Sequence, residues 1–259
     1  MFKNTPFDMS GQTALITGAS GGLGGRFAQV LANANANLVL AARNADNPRL
    51  LDLEQSIGNG VEVHRVSLDV SSPDSVSEAV TSADKLIDGG ISILINNAGI
   101  AEPATAKDTD AEKWNRIIGT NLSGAWFTAR EFALQRIKRK SPGVIVNITS
   151  LLGHRVSGGV MSYAVSKAGL EQMTNALALE WARHDIRVNS LAPGYIVTDM
   201  NRDYLQSEAA QPMIKSIPQR RVGEPSDLDG ALLLLASGAS AFMTGSTVVV
   251  DGGHMQSSL

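Results

Sequence analysis

Three residues in one stretch of the chain could move a proton between them: Ser150, Tyr163 and Lys167. Tyr163 and Lys167 are four apart, so on a helix they share one face. A free phenol titrates near pH ~10, too high for easy acid–base work near neutrality. A fixed ammonium beside it favours the phenolate and lowers that value. Ser150 stands just past an apolar run, Val144–Ile148, that reads as a strand. Ligands in open α/β sheets bind at the carboxyl ends of strands. The plain alternative is a core tyrosine and a solvated lysine, which a lone Tyr-x-x-x-Lys does not exclude.

The elements that would position these residues can be followed from the start of the chain. Thr13–Thr17 is a buried-strand pattern, followed at once by Gly18, Gly21, Gly22, Gly24 and Gly25 and then by apolar residues at helical spacing over Arg26–Ala34. Strand, glycine turn and helix together hold a dinucleotide pyrophosphate, because backbone N–H groups and the helix dipole face the phosphates. The spacing Gly18-x-x-x-Gly22-x-Gly24 differs from the common G-x-G-x-x-G, and an ordinary βα turn would look similar. No G-x-x-x-x-G-K-[ST] pattern marks a nucleotide triphosphatase. The tract Asn33-Ala-Asn35-Ala-Asn37 reads as a helix C-cap, since asparagine tolerates the left-handed conformation. Leu38–Ala42 is a second strand. It ends in Arg43 where an acid would bind the 2′-hydroxyl of NAD and an arginine suits the 2′-phosphate of NADP; a solvated strand-end arginine is the alternative.

Beyond it, Pro48–Ile57 reads as a helix, Val61–Leu68 as a strand leading into Asp69-Val70, and Ser72-Pro73 as the cap and first position of another helix. Ile91–Ile95 is a fourth strand. Thr109-x-x-Glu112 reads as a capping box opening one long helix to about Arg139, with Asn121 in its middle. The basic run Arg136–Lys140 fits a C-terminus favoured by the helix dipole. Ile186–Leu191 is another strand, Ala231–Ala236 a buried helix and Ser246–Val250 a last strand. Residues 199–220 are polar with Met200, Tyr204, Met213 and Ile214 among them, a composition suited to a mobile lid. Strands alternating with helices mean a parallel sheet covered on both faces, an α/β doubly wound, Rossmann-type architecture of about seven strands. No linker divides the 259 residues, so one domain is expected, its dinucleotide-binding half over about 10–100 and its catalytic half over about 101–259.

Composition narrows the function classes. Apolar residues make up 43% and charged residues 18%, as in a well-buried globular chain. A net charge of −3 gives no basic field for nucleic acid. The absence of cysteine rules out disulfides and thiolate metal sites, and the four histidines lack metal-ligand spacing, so no metal is expected. No apolar run approaches a membrane span and MFKNTPFDMSGQ lacks a signal-peptide pattern, so a cytoplasmic location is expected.

Taken together, TGASGGLG (Thr17–Gly24), Asp69-Val70, NNAG (Asn96–Gly99), Asn121, Ser150, Tyr163-x-x-x-Lys167, Pro193-Gly194 to Thr198, and Asp251-Gly-Gly253 resemble the short-chain dehydrogenase/reductase family, in its short single-domain branch. The resemblance runs from Gly11 to Gly253. It implies that Gly18, Ser20, Gly22, Leu23 and Gly24 lie against the cofactor phosphates. Asp69 and Val70 would flank the adenine. Asn97, Ala98 and Gly99 would approach the adenosine and its ribose. Pro193, Gly194, Ile196 and Thr198 would form the nicotinamide end. Tyr163 would be the general acid in reduction, Lys167 its electrostatic partner and ribose ligand, Ser150 the holder of the substrate oxygen, and Asn121 the anchor of a relay water. The implied activity is an NADP(H)-dependent exchange of carbonyl and secondary alcohol, a ketoreductase of EC 1.1.1.-. NAD(H) preference, 3-oxoacyl-thioester reduction and a non-catalytic cofactor-binding regulator stay as alternatives. Family members are commonly homotetramers, which would make Trp114, Trp126 and Trp181 either interface anchors or core. His154 and Arg155 depart from the family pattern; they would face either the substrate mouth or solvent.

Overall fold

The computed structural model describes residues 3–199 and 201–256; Met200 lies outside them. Seven strands form one parallel sheet in the order β3-β2-β1-β4-β5-β6-β7. They are β1 (Thr13–Thr17), β2 (Asn37–Ala42), β3 (Val63–Ser67), β4 (Ile93–Asn96), β5 (Gly143–Ile148), β6 (Ile186–Pro193) and β7 (Thr247–Val250). Period-two side-chain alternation sends neighbours to opposite faces. Ile16 joins a core built with α1 (Gly22–Asn33) and α9 (Asp229–Ala236), whereas Leu15 joins one built with α3 (Pro73–Leu86), α5 (Gly124–Arg139) and α6 (Met161–Trp181). The doubly wound expectation is met. Order reverses between β1 and β4, so the crevice at their carboxyl ends is the switch point.

Local chemistry sets the boundaries. Asn35 takes φ +71° at the end of α1, as its cap tract predicts. Asn47 and Pro48 open α2 (Pro48–Ile57), and Ser72 and Pro73 open α3. Two expectations fail on the next helix. The N-cap of α4 (Ala111–Ile118) is Asp110, whose carboxylate accepts from Lys113 N at 2.7 Å; the Thr109 hydroxyl instead donates back to Thr105 O. An ionised oxygen one residue closer outcompetes a hydroxyl for the free amides. The long helix is also not continuous: residues 119–123 form a π segment between α4 and α5.

The basic end of α5 is more than a dipole partner. Arg136 is buried and donates to the carbonyls of Pro142, Gly89 and Ile91, and Arg139 pairs with the buried carboxylate of Asp84 at 2.8 Å. Arg187 does similar work across the sheet. From β6 it donates to Ser240 Oγ at 2.8 Å, to Ser237 O at 3.0 Å and to Leu235 O, closing the carbonyl end of α9. Replacing it by methionine keeps the stem but orphans those carbonyls. Arg187→Met is expected to cost about 2–3 kcal/mol, or about 5–10 °C in Tm, while leaving dinucleotide affinity within twofold. Thermal melting beside a binding titration checks both parts.

Among the described residues, no helix is long and apolar enough to cross a membrane.

Candidate active site

The loops after β1 and β4 meet at the switch point. Gly18 has φ +65°, and a Cβ there would stand 3.0 Å from Ala98 Cα. A Cβ on Gly24 would lie 2.4 Å from Gly18 O and 2.9 Å from Ala19 Cα, so the turn closes only with glycine. Gly22 is exposed at the start of α1, with only the Thr198 side chain near it. No side chain caps α1 and its first turn carries no acid, so its free amides face outward for an anion. Ser20 and Leu23 flank this turn, half-buried. A dinucleotide diphosphate fits this cradle.

The neighbouring residues fall into two groups. Asn97 has a structural role: its Nδ2 donates to Thr17 O and Gly18 O, while the backbone N–H groups of Asn97 and Ala98 both donate to Thr17 Oγ1. Val70 is buried against Gly124. Asp69 accepts from Ser71 Oγ and Ser71 N; those bonds, and after them the charge of Arg43, hold its carboxyl below the usual range. Arg43 is exposed at the end of β2 and, among the described residues, makes no hydrogen bond or ion pair. At the other end Gly194, packed on Asp251, lets β6 turn directly after Pro193. Thr198 N and Oγ1 both donate to Asn201 Oδ1, and Asn201 Nδ2 donates to Ile196 O. Asn201 has no signature in the local sequence, because its role is to fold the turn that presents Ile196 and Thr198.

Between these ends lie Ser150, Tyr163 and Lys167. Ser150 follows β5 with extended backbone; its Oγ accepts from Leu152 N at 3.1 Å and stands beside the Tyr163 phenol. Lys167 sits one turn beyond Tyr163 on α6, buried, its Nζ 5.7 Å from the Tyr163 ring centroid. Its bond runs to Ile148 O at 2.7 Å, not to the phenol. Burial holds this ammonium down to about 8. The expected lowering of the Tyr163 pKa is not what the structure has. Burial pushes the phenol up, Ser150 draws it partly back, and the nearby Tyr195 adds to the rise. Desolvation outweighs an ammonium whose hydrogen bond points elsewhere.

Asn121 lies in the π segment, fully buried. Its Oδ1 accepts from Ile100 N at 2.8 Å, and its Nδ2 donates to Ile100 O and to Ser166 Oγ. Both amide protons are thus engaged, which leaves no side-chain donor for a relay water. Ser166, missed from sequence, ties Asn121 to α6 by also donating to Tyr163 O. His154 is exposed and Arg155 half-buried, but both are anchored. His154 pairs with Glu171 of α6 at 2.9 Å, and Arg155 donates to His254 O at 2.6 Å, so both fasten the loop after Ser150 to its surroundings.

A family model described as "Enoyl-(Acyl carrier protein) reductase" matches residues 18–255. The chain belongs to the short-chain dehydrogenase/reductase family. Within this family, a gluconate 5-dehydrogenase of Gluconobacter oxydans is 36% identical over 250 residues, 95% of this chain and 96% of its own. A 3-oxoacyl-[acyl-carrier-protein] reductase of Rickettsia bellii is 35% identical over 248 residues, 96% of this chain and 98% of its own. The crystal structure of a gluconate 5-dehydrogenase from Burkholderia cenocepacia, in complex with NADP and tartrate, superposes with a TM-score of 0.92 at 32% identity, covering 98% of each chain. Short-chain dehydrogenases/reductases use nicotinamide dinucleotides, in keeping with the cradle at Gly18–Gly24.

Proposed function

We propose that this chain is an NADP(H)-preferring oxidoreductase that interconverts a ketone and a secondary alcohol, with Tyr163 as its acid and base. The observation that carries the reading is the placement of the Tyr163 phenol beside Ser150 at the carboxyl end of β5, with the Lys167 ammonium 5.7 Å from its ring centroid and the glycine cradle on the neighbouring strands. The bound nicotinamide supplies or accepts the hydride. In reduction, Ser150 and Tyr163 both hydrogen-bond the carbonyl oxygen, which polarises it toward the charge that develops there. As the carbon gains hydride, the Tyr163 O–H bond breaks and its proton goes to the oxygen, leaving a phenolate. Lys167 stabilises that phenolate, and proton return from solvent resets the phenol. Oxidation of the alcohol runs the same steps backwards. Asn121 holds Ile100 and α6 in register, and any relay water beside Lys167 would rest on its oxygen or its backbone.

Arg43 supports the choice of NADP(H): it is an exposed guanidinium where β2 ends, unpaired among the described residues, and Gly21 brings no second cation. Removing it should weaken NADPH binding at least tenfold and spare NADH, since a charged hydrogen bond is worth about 1.5–3 kcal/mol. Fluorescence titration of Arg43→Ala with both cofactors decides this; equal losses would overturn the NADP(H) assignment. The relatives' names span sugar acids and acyl carriers, so NADP⁺ reduction with gluconate set against NADPH oxidation with an acetoacetyl thioester distinguishes the two substrate classes. The exposed Trp126, stacked on Trp181 at 6.3 Å between ring centroids, with Leu179 also exposed on α6, supports a homo-oligomer.

A further inference from the structure

A second phenol stands beside the first. Tyr195 follows β6 immediately after Gly194, and β6 pairs with β5 up to Ile148↔Leu191, two residues before Ser150. Its backbone is fixed from one side: Gly223 N donates to Tyr195 O and Val197 N donates to Gly223 O, both at 2.8 Å. Its ring rests on His254, centroids 5.8 Å apart and planes tilted by 35°. The His254 carbonyl in turn accepts from Arg155 at 2.6 Å. Arg155 belongs to the loop that connects Ser150 to Tyr163, so Tyr195 packs, through His254, beside the mouth of the catalytic pair. Its contribution to the raised Tyr163 pKa is a second sign of that proximity.

We propose that Tyr195 is a specificity-determining residue, whose hydroxyl binds a substrate hydroxyl on a carbon adjoining the reacting carbonyl. The preferred substrates are then α-hydroxy ketones and the corresponding vicinal diols, the chemistry of polyols and sugar acids. The ring alone would suffice for packing on His254, and phenylalanine would supply it. What the oxygen adds is a polar partner half-buried at the mouth. A plain ketone or an acyl chain presents only hydrocarbon there and strips the phenol of water without replacing the bond. A site built around a substrate hydroxyl discriminates strongly against the analogue lacking it.

The inference rests on the Tyr163 reading, and one experiment tests the two separately. Acetoin and 2-butanone differ by a single α-hydroxyl. With NADPH, wild-type protein should favour acetoin, and Tyr195→Phe should lower kcat/KM for acetoin by about 10–100-fold, mainly through KM, while changing 2-butanone by less than threefold. Unchanged NADPH affinity and Tm would show that the variant is folded. Equal loss on both ketones, no loss on either, or no wild-type turnover of acetoin would overturn the proposal. Tyr163→Phe, run alongside, should lower both reactions by about 10²–10⁴-fold; a Tyr163→Phe protein that kept activity would overturn the Tyr163 reading whatever Tyr195 does.

Discussion

Tyr163→Phe is expected to lower kcat for ketone reduction by about 10²–10⁴-fold, with NADPH affinity within a few-fold of wild type. The substitution removes one oxygen. The ring stays against α6, and Ser150 keeps its bond from Leu152 N. What disappears is the proton delivered to the carbonyl oxygen, so kcat and kcat/KM fall together while uniform binding is spared. The pH dependence follows from the direction of the shift. Burial raises the phenol above its ordinary value of 10.0, so the neutral form needed for reduction is present across the neutral range. Reduction should therefore hold steady through neutrality and decline in alkali, and alcohol oxidation, which needs the phenolate, should climb with pH. A reduction rate that rose from pH 7 to 9 would contradict that order.

Lys167→Met should do two opposite things at once: stabilise the protein in the absence of dinucleotide and impair turnover. In the folded state Lys167 titrates at about 8 against 10.5 for a free lysine. Between those values folding releases a proton, so stability rises with pH from about 8 to about 10.5. Below pH 8 the buried ammonium costs the fold its full amount, about 3 kcal/mol. Methionine removes that cost and forfeits the bond to Ile148 O, worth about 1 kcal/mol or somewhat more for a charged donor. The net gain of about 1–2 kcal/mol at pH 7 corresponds to roughly 2–8 °C in Tm, should vanish at about pH 9–9.5 and should reverse by about pH 10. Ketone reduction should fall about 10–100-fold over the same substitution, because the developing phenolate loses its cation. Melting curves at pH 7 and pH 10 check the first part; a lower Tm at pH 7 would mean that the site favours the charge. Stability given up at the point of chemistry is a recurrent arrangement in enzymes.

Local rules were legible wherever a single residue's own chemistry decides the outcome. Thr13–Thr17 and Pro48–Ile57 have the bounds that their patterns predict, and Asn35 and Ser72 cap as their side chains dictate. The glycine loop was legible for the same reason, since only a missing Cβ permits Gly24 against Gly18 O. Features that depend on partners far along the chain were not. The π segment around Asn121 answers to Ile100 and to Ser166, 45 residues away, and nothing in Gly119–Ser123 announces it. Arg136 reads as a helix-end charge until Gly89 and Ile91 are folded against it. The Tyr163 shift failed for a related cause: four-residue spacing places an ammonium near a phenol, but it says nothing of how deeply both are buried or that Ile148 O takes the ammonium's bond.

The central claim, that this chain passes hydride and proton to a carbonyl, is tested most directly by following NADPH oxidation by the wild-type protein across a panel of ketones that includes acetoin, a ketose and an acetoacetyl thioester. The account predicts NADPH consumption with at least one hydroxylated ketone, matched mole for mole by the alcohol formed. Tight NADPH binding with no turnover of any member of the panel would contradict it, and would point instead to a protein that holds the dinucleotide without using it.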